Sequence, residues 1–255
     1  MLLADKVAIV TGGDSGIGKA IALAMGSEGA SVMIDYFGDV VPAKAVVDQI
    51  ENFGGKAAAF AADVSNPDEV EALIVQAVQH FGGLDILVNN AGMEHRAPFL
   101  ETPLDLYRKV IETNLTGVWL CSQCAARQMV KQKRGGRIIN ISSVHEDLPM
   151  PTNAPYCAAK GGVRMLMRTI ALELAPHGIT VNDVCPGAVD TPMDAPLKRD
   201  KRKYDALLAE IPLHRMAKPE EIAALCTFLA SENAAYITAS SYVIDGGMMQ
   251  KSGRL

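Results

Sequence analysis

Short runs of apolar, often β-branched residues alternate along the chain with longer stretches of helical spacing. The runs are KVAIV (6–10), SVMI (31–34), AAAF (57–60), DILVN (85–89), RIINI (137–141), ITVNDV (179–184) and SYVID (241–245). They are continuous rather than alternating, which is the pattern of strands buried on both faces. Helical periodicity falls between them, near 16–29, 42–53, 67–81, 103–133, 155–176 and 219–231. Repeated strand–helix order predicts an α/β fold, a doubly wound parallel sheet with helices on both faces. No linker or low-complexity segment divides residues 1–255, so the reading is a single domain.

One segment breaks the rhythm. Residues 192–215, PMDAPLKRDKRKYDALLAEIPLHR, are long, charged and bounded by prolines. They read as an insertion over the strand ends, either a lid or a solvated surface helix.

Composition narrows the classes. The 255 residues are 49% apolar and 21% charged, with a net charge of −5. That supports a sizeable core and excludes the basic stripe of a nucleic-acid binder. The opening MLLADKVAIVTGG carries charges and runs into a strand, unlike a secretion signal. No apolar run reaches 18 residues, so no membrane span is expected. Five cysteines without framework spacing suit a reducing cytoplasm. Cys121 and Cys124 form a C-x-x-C, but in mid-helix, where two packed core thiols are expected rather than a redox or zinc site.

The first strand runs into Thr11-Gly12-Gly13-Asp14-Ser15-Gly16-Ile17-Gly18, followed by a helix beginning near Ser15. Glycines let a backbone approach a pyrophosphate, and a helix N-terminus supplies free N–H groups and partial positive charge. Gly12, Asp14, Ser15, Gly16, Ile17 and Gly18 are therefore the phosphate-binding candidates. The second strand ends at Asp35, 19 residues beyond Gly16, where an acid can accept hydrogen bonds from an adenosine ribose. Asp35 and Asp14 would repel a 2′-phosphate, and Tyr36-Phe37-Gly38-Asp39 offers no cation. Charge thus favours NAD over NADP. Asp63 and Val64 follow the third strand, at the adenine, and Asn89-Asn90-Ala91-Gly92 ends the fourth, where small residues admit ribose and backbone.

Strand five ends in Ser142-Ser143, and thirteen residues later Tyr156 precedes Lys160 at i+4, on one helix face. A cation beside a phenol favours the phenolate, so Tyr156 is expected to have a lowered pKa and to act as general acid or base, with Ser143 binding the same substrate oxygen. Asn114, in IETNLTGVWL, is a poor helix former. It is expected either to hold a water that relays protons from Lys160 or to make a polar kink bonded to its own backbone.

Taken in order, TGGDSGIG, Asp63, NNAG, Asn114, Ser143, Tyr156 with Lys160, and Pro186-Gly187 resemble the classical short-chain dehydrogenase/reductases over essentially the whole chain. The resemblance implies a Rossmann-like sheet of seven parallel strands, a homotetramer, and a tetrad: Asn114 holds a water, Ser143 polarises the substrate oxygen, Tyr156 transfers the proton, and Lys160 lowers the tyrosine pKa and binds ribose. Pro186, Gly187, Val189 and Thr191 would meet the nicotinamide end. Within that family, NNAGMEHRAP, ISSVHEDLP and PGAVDTPMDA are similar to bacterial glucose 1-dehydrogenases. There, residues at the places of Glu94 and His145 line the sugar pocket. Asp194 stands where that subgroup often has asparagine, and Phe37 where it tends to have arginine.

Glu94, His95, Arg96, His145, Glu146 and Asp147 are read as a polar cleft mouth, suited to a hydroxyl-rich substrate. The expected activity is hydride transfer between NAD(P) and a sugar, polyol or similar secondary alcohol. The alternatives are a carbonyl or 3-oxoacyl reductase of the same family, and a nucleotide-sensing scaffold. An altered Ser, Tyr or Lys would favour the scaffold, and all three are intact.

Overall fold

A computed structural model describes residues 1–192 and 195–250. Seven parallel strands form one sheet: β1 (Val7–Val10), β2 (Ser31–Tyr36), β3 (Lys56–Ala61), β4 (Ile86–Asn89), β5 (Gly136–Ile141), β6 (Ile179–Pro186) and β7 (Ser241–Ile244). Their spatial order is β3-β2-β1-β4-β5-β6-β7. The order reverses between β1 and β4, which opens a crevice beyond the strand C-termini.

Strand alternation sorts side chains into two cores. On one face, Ala8, Val10, Val32, Ile34, Ile139 and Val184 pack against α1 (Gly16–Ser27), α2 (Val40–Asn52) and a later helix, Pro219–Ala230. On the other, Ile9, Met33, Leu87, Ile138 and Val181 pack against α3 (Pro67–Phe81) and two helices that flank β5, Gly117–Gln132 and Ala154–Leu174. Local sequence sets the helix ends. Asn66 accepts from the Asp68 N–H at the start of α3, Pro67 occupies its first turn, and Gly82 closes it at φ 86°.

The stretch 103–133 is not one helix. It is α4 (Leu104–Ile111), a π-helical turn (Glu112–Thr116) and α5 (Gly117–Gln132). Helical hydrogen bonding continues through a π turn, so the stretch still reads as helix, and the one-residue offset it introduces is too short to register as a break. Asn114 lies in that turn. Beyond it run α6 (Ala154–Leu174), α7 (Ala195–Arg199), α8 (Lys201–Glu210) and α9 (Pro219–Ala230). The charged insertion thus contains two short helices. No residue of α8 is buried, while Ile211 and Met216 anchor the returning chain. Asp194, expected at the substrate, lies outside the described residues.

Cys121 faces the core of α5, and burial pushes its thiol pKa up; Cys124 is shifted in the same direction. Both are packed thiols, with none of the activation a redox motif needs. No helix among the described residues is long and apolar enough to cross a membrane.

Candidate active site

The loop after β1 is held from beneath. Asn90 Nδ2 donates to the carbonyls of Thr11 (2.9 Å) and Gly12 (3.0 Å). Thr11 Oγ1 accepts from the backbone N–H of Asn90 (2.9 Å) and Ala91 (3.0 Å). The end of β4 and the glycine loop therefore form one unit, and the Asn90 amide faces inward, into that unit. Gly12 (φ 57°) and Gly16 (φ 52°) turn left-handed. A Cβ on Gly18 would sit 2.2 Å from the Gly12 carbonyl oxygen and 2.4 Å from Asn90 Nδ2, so only glycine lets α1 come this close.

The start of α1 is left open. Ser15 makes no side-chain cap, and no acid occupies the first turn. Its orphan N–H groups and dipole fit an anionic pyrophosphate. Across from it, a Cβ on Gly16 would lie 3.6 Å from Thr191, so the segment after β6 closes the crevice against the glycine loop. Pro186 ends β6. Gly187 packs against Asp245, where a Cβ would lie 2.8 Å from the Asp245 Cβ, and Val189 is buried and bridged to Ala217. Asp63 accepts from the Ser65 N–H and hydroxyl, Val64 packs on Gly117, and Gly92 is exposed beside Asn114.

Asp35 is placed differently from the expectation. It is 1% exposed, and its Oδ2 accepts from the Gly12 N–H at 3.2 Å while Oδ1 has no partner. Alternation along β2 explains this: Asp35 shares the face of buried Met33, so it points under the loop and not into the crevice. Burial pushes its carboxyl up to about 7, against the pull of the Gly12 and Ala62 backbone N–H groups. It is a support of the loop rather than an accessible ribose partner. Tyr36 packs toward the opposite core, and Phe37, 78% exposed, stands at the strand's edge.

The chemical group gathers at the end of β5. Ser143 caps a short 3-10 turn; its Oγ accepts from the His145 N–H at 3.1 Å, which leaves its own hydrogen free to donate. Lys160 is buried in α6 and donates to the Ile141 carbonyl at 2.7 Å. Its Nζ lies 5.5 Å from the Tyr156 ring centre. The pairing on one helix face is as expected, but the net pKa direction of the tyrosine is not. Burial pushes Tyr156 up to about 12, and the neighbouring Ser143 hydroxyl only partly opposes it. Burial also lowers Lys160 to about 8. In the chain by itself, desolvation dominates and Tyr156 is a phenol.

Asn114 sits in the π turn with its side chain committed to the neighbouring loop. Fully buried, its Oδ1 accepts from the Met93 N–H (2.8 Å) and its Nδ2 donates to the Met93 carbonyl (2.7 Å). Both ends of the amide are occupied in clamping the loop that leads to Glu94.

At the mouth, Glu94 pairs with Arg96 at 2.7 Å and lies close enough to act electrostatically on Tyr156. His145 Nδ1 meets the Leu148 carbonyl at 2.9 Å, and its ring stands edge-on to Tyr156 at 6.4 Å between centres. His95 is exposed. Two residues read as mouth charges are partnered elsewhere: Arg164 pairs with Asp147 and draws the Glu146 carboxylate (3.6 Å), whose side chain is turned inward. Sequence reasoning passed over Asn140 and Asp183, both buried beneath α6. Their signal was present: each is a polar residue inside an otherwise apolar strand run.

A family model described as enoyl-(acyl carrier protein) reductase matches residues 12–249. The chain is 40% identical to glucose 1-dehydrogenase 2 of Bacillus subtilis over 247 residues, 96% of this chain and 95% of that protein. The chain belongs to the short-chain dehydrogenase/reductase family. It is 43% identical to 3beta-hydroxysteroid dehydrogenase 1 of Eggerthella lenta over 246 residues, covering 96% and 94% of the two chains. The crystal structure of acetoin dehydrogenase from Enterobacter cloacae superposes with a TM-score of 0.90 at 42% identity, over 98% of each chain. This short-chain dehydrogenase/reductase is accordingly an NAD(P)-dependent oxidoreductase acting on CH–OH groups.

Proposed function

We propose that this enzyme oxidises the secondary alcohol or hemiacetal carbon of a sugar, polyol or similar small hydroxylated substrate, in a crevice shared with the nicotinamide cofactor. The supporting observation is the convergence of Ser143, Tyr156 and Lys160 beside an uncapped helix N-terminus, under a mouth lined by Glu94 and His145. A bound nicotinamide supplies the hydride acceptor. The open first turn of α1 with Gly12, Asp14, Ser15, Gly16, Ile17 and Gly18 would hold its pyrophosphate. Asp63, Val64, Asn90, Ala91 and Gly92 would line the adenosine side, and Pro186, Gly187, Val189, Thr191 and Lys160 the nicotinamide side.

The chain's own residues then divide the work. Ser143, whose Oγ accepts from the His145 N–H through one of its lone pairs, directs its hydrogen to the substrate oxygen. Tyr156 takes the hydroxyl proton during oxidation and returns it during reduction. Lys160, as ammonium, favours the phenolate and offsets the desolvation that otherwise holds Tyr156 protonated. Asn114 keeps the Glu94 loop in place through Met93. Glu94, His145 and Asp194 are the proposed contacts to further substrate hydroxyls.

NAD is the favoured cofactor, because no cation stands at the end of β2 and Asp14 and Asp39 add negative charge there. Residues 192–215 form the proposed lid. Exposed Trp119, Met165 and Leu172 on α5 and α6 support assembly into a homotetramer. Five free thiols suit a cytoplasmic setting.

A second reading, a carbonyl or 3-oxoacyl reductase, is favoured by the Glu94–Arg96 pair, which neutralises part of the mouth. One assay separates the two. Purified enzyme with NAD or NADP is offered aldoses and polyols, then ketones and 3-oxoacyl esters with the reduced cofactors. Nicotinamide reduction by an aldose or polyol supports the leading reading. Turnover of ketones alone overturns it.

A further inference from the structure

Four neighbouring strands carry a polar residue at one level. In the register, Asn89 pairs with Asn140, Asn140 with Asp183, and Asp183 with Ser241. Asn89 Nδ2 donates to Asn140 Oδ1 (2.8 Å) and to Ser122 Oγ on α5 (2.9 Å). Asn140 Nδ2 donates to Asp183 Oδ1 (2.8 Å). Asp183 is completely buried, and its Oδ2 and the Ser241 Oγ are enclosed without a partner. A sheet needs no such row. Apolar side chains of similar volume would generally be no less stable there, so its presence points to a use.

The row lies beneath the catalytic helix. Lys160 donates to the carbonyl of Ile141, the residue after Asn140, and Ile141 is the register partner of Val184, the residue after Asp183. Alternation along β6 puts Asp183 on the face of Val181, toward α5 and α6. The groups that bear on Asp183 are Asn140 from β5, Glu146 from the turn after β5, and Lys160 and Arg164 from α6, with Ser241 its register neighbour on β7. Cys185 lies two residues on along β6, on the same face. Of the two cations, Arg164 is engaged by Glu146 and Asp147. Lys160 has only a backbone carbonyl as hydrogen-bond partner.

We propose that Asp183, held by Asn140, is a positioning residue for Lys160: a buried carboxyl whose ionisation is coupled to that of the lysine and favours the ammonium, thereby helping to set the pH at which Tyr156 passes its proton. The inference rests on the Tyr156–Lys160 reading above. The direction of the charges agrees with it. Burial lowers Lys160 to about 8, and Asp183 is foremost among the groups that draw it back, ahead of Cys185 and Glu146. Burial pushes Asp183 up to about 8, with the Asn140 hydrogen bond, Lys160 and Arg164 opposing. The two therefore titrate in the same range, as a pair. Removing the carboxylate leaves desolvation of Lys160 less opposed. Its pKa falls, less ammonium faces Tyr156, and the phenolate forms only at higher pH.

The test uses the full chain labelled with ε-13C-lysine, the Lys160 resonance being the one lost in Lys160→Arg. In the wild type that resonance should titrate well below free lysine and in more than one step, because Asp183 changes charge in the same range. In Asp183→Asn, which keeps an acceptor for Asn140, the midpoint should drop by about half a pH unit or more. The rising limb of kcat for alcohol oxidation should move up by a similar amount, with the melting temperature kept. A folded Asp183→Asn whose Lys160 midpoint stays within about 0.2 units of wild type overturns the proposal. Should that variant not fold, Glu146→Gln gives the same downward shift if buried carboxylates govern Lys160, and a single-step wild-type curve at the free-lysine midpoint overturns it without any variant. Absence of alcohol turnover in the wild type would refute the proposed function while leaving the resonance test decisive for this one.

Discussion

The ammonium of Lys160 donates to the carbonyl oxygen of Ile141 at 2.7 Å, so the last residue of β5 holds a cation that faces Tyr156. The lysine is fixed by sheet backbone, independently of any ligand. Its height above β5 and β6 is set by strand register, and the proposed proton chemistry is therefore built into the sheet. Replacing Lys160 by methionine should leave the fold intact and depress turnover by about 10²-fold or more, with the rising limb of the pH profile displaced upward. A profile that keeps its midpoint in Lys160→Met would remove the lysine from the mechanism.

Asn114 makes a testable clamp. In Asn114→Ala, the Met93 N–H and carbonyl lose both partners in a partly buried place, each costing up to about 1–3 kcal/mol. Urea unfolding should show a loss of at least about 2 kcal/mol, and substrate KM should rise as the Glu94 loop slackens. Unchanged stability would mean that the Met93 groups find water.

Gly18→Ala inserts a methyl 2.2 Å from the Gly12 carbonyl oxygen. Backbone cannot yield that much without moving the loop away from α1. Cofactor affinity, read by quenching of reduced-nicotinamide fluorescence or by calorimetry, should fall by about tenfold or more, about 1.4 kcal/mol. A variant that binds as well as wild type would show that the pyrophosphate lies elsewhere.

Asp35→Asn tests the buried acid. The folded carboxyl titrates at about 7 against an ordinary 3.8. Between about pH 4 and 7 the folded chain keeps a proton that the unfolded chain has lost, so this group's contribution to stability is full below that window and gone above it. The amide has no such slope and still accepts from Gly12. The variant should be more stable at pH 8 by about 2–4 kcal/mol relative to its advantage at pH 4. Parallel stability curves for the two proteins would show that the carboxyl is not buried in this way.

Phe37 occupies the exposed end of β2, where the chain presents no cation. Phe37→Arg should raise the NADP-to-NAD ratio of kcat/KM by about tenfold, since a guanidinium complements a 2′-phosphate. No change would place the ribose away from β2.

Much of this was legible in the sequence, and the parts that were not have physical causes. Gly12, Gly16 and Gly18 announce themselves because sterics allow nothing else at a close approach. Tyr156 and Lys160 announce their shared face because helical spacing is fixed. Asp35 misleads, because a one-residue difference of parity on a strand decides between crevice and core, and composition does not register it. The π turn at Asn114 escapes periodicity, since it spans five residues between two helices and offsets the pattern by a single position. The net shift of Tyr156 is a contest between desolvation and charge, and burial is known only once the chain is folded. Asn140 and Asp183 were visible as polar residues in apolar runs, but their shared level required the register of β5 against β6.

The central claim is that Tyr156 carries the proton. The most direct measurement is the initial rate of nicotinamide reduction with an accepted alcohol, wild type against Tyr156→Phe, at matched saturation with cofactor binding measured in parallel. The account predicts that cofactor binding is kept within about threefold while turnover falls by about 10²–10⁴-fold. A phenylalanine variant that binds cofactor and turns over within about threefold of wild type would contradict it.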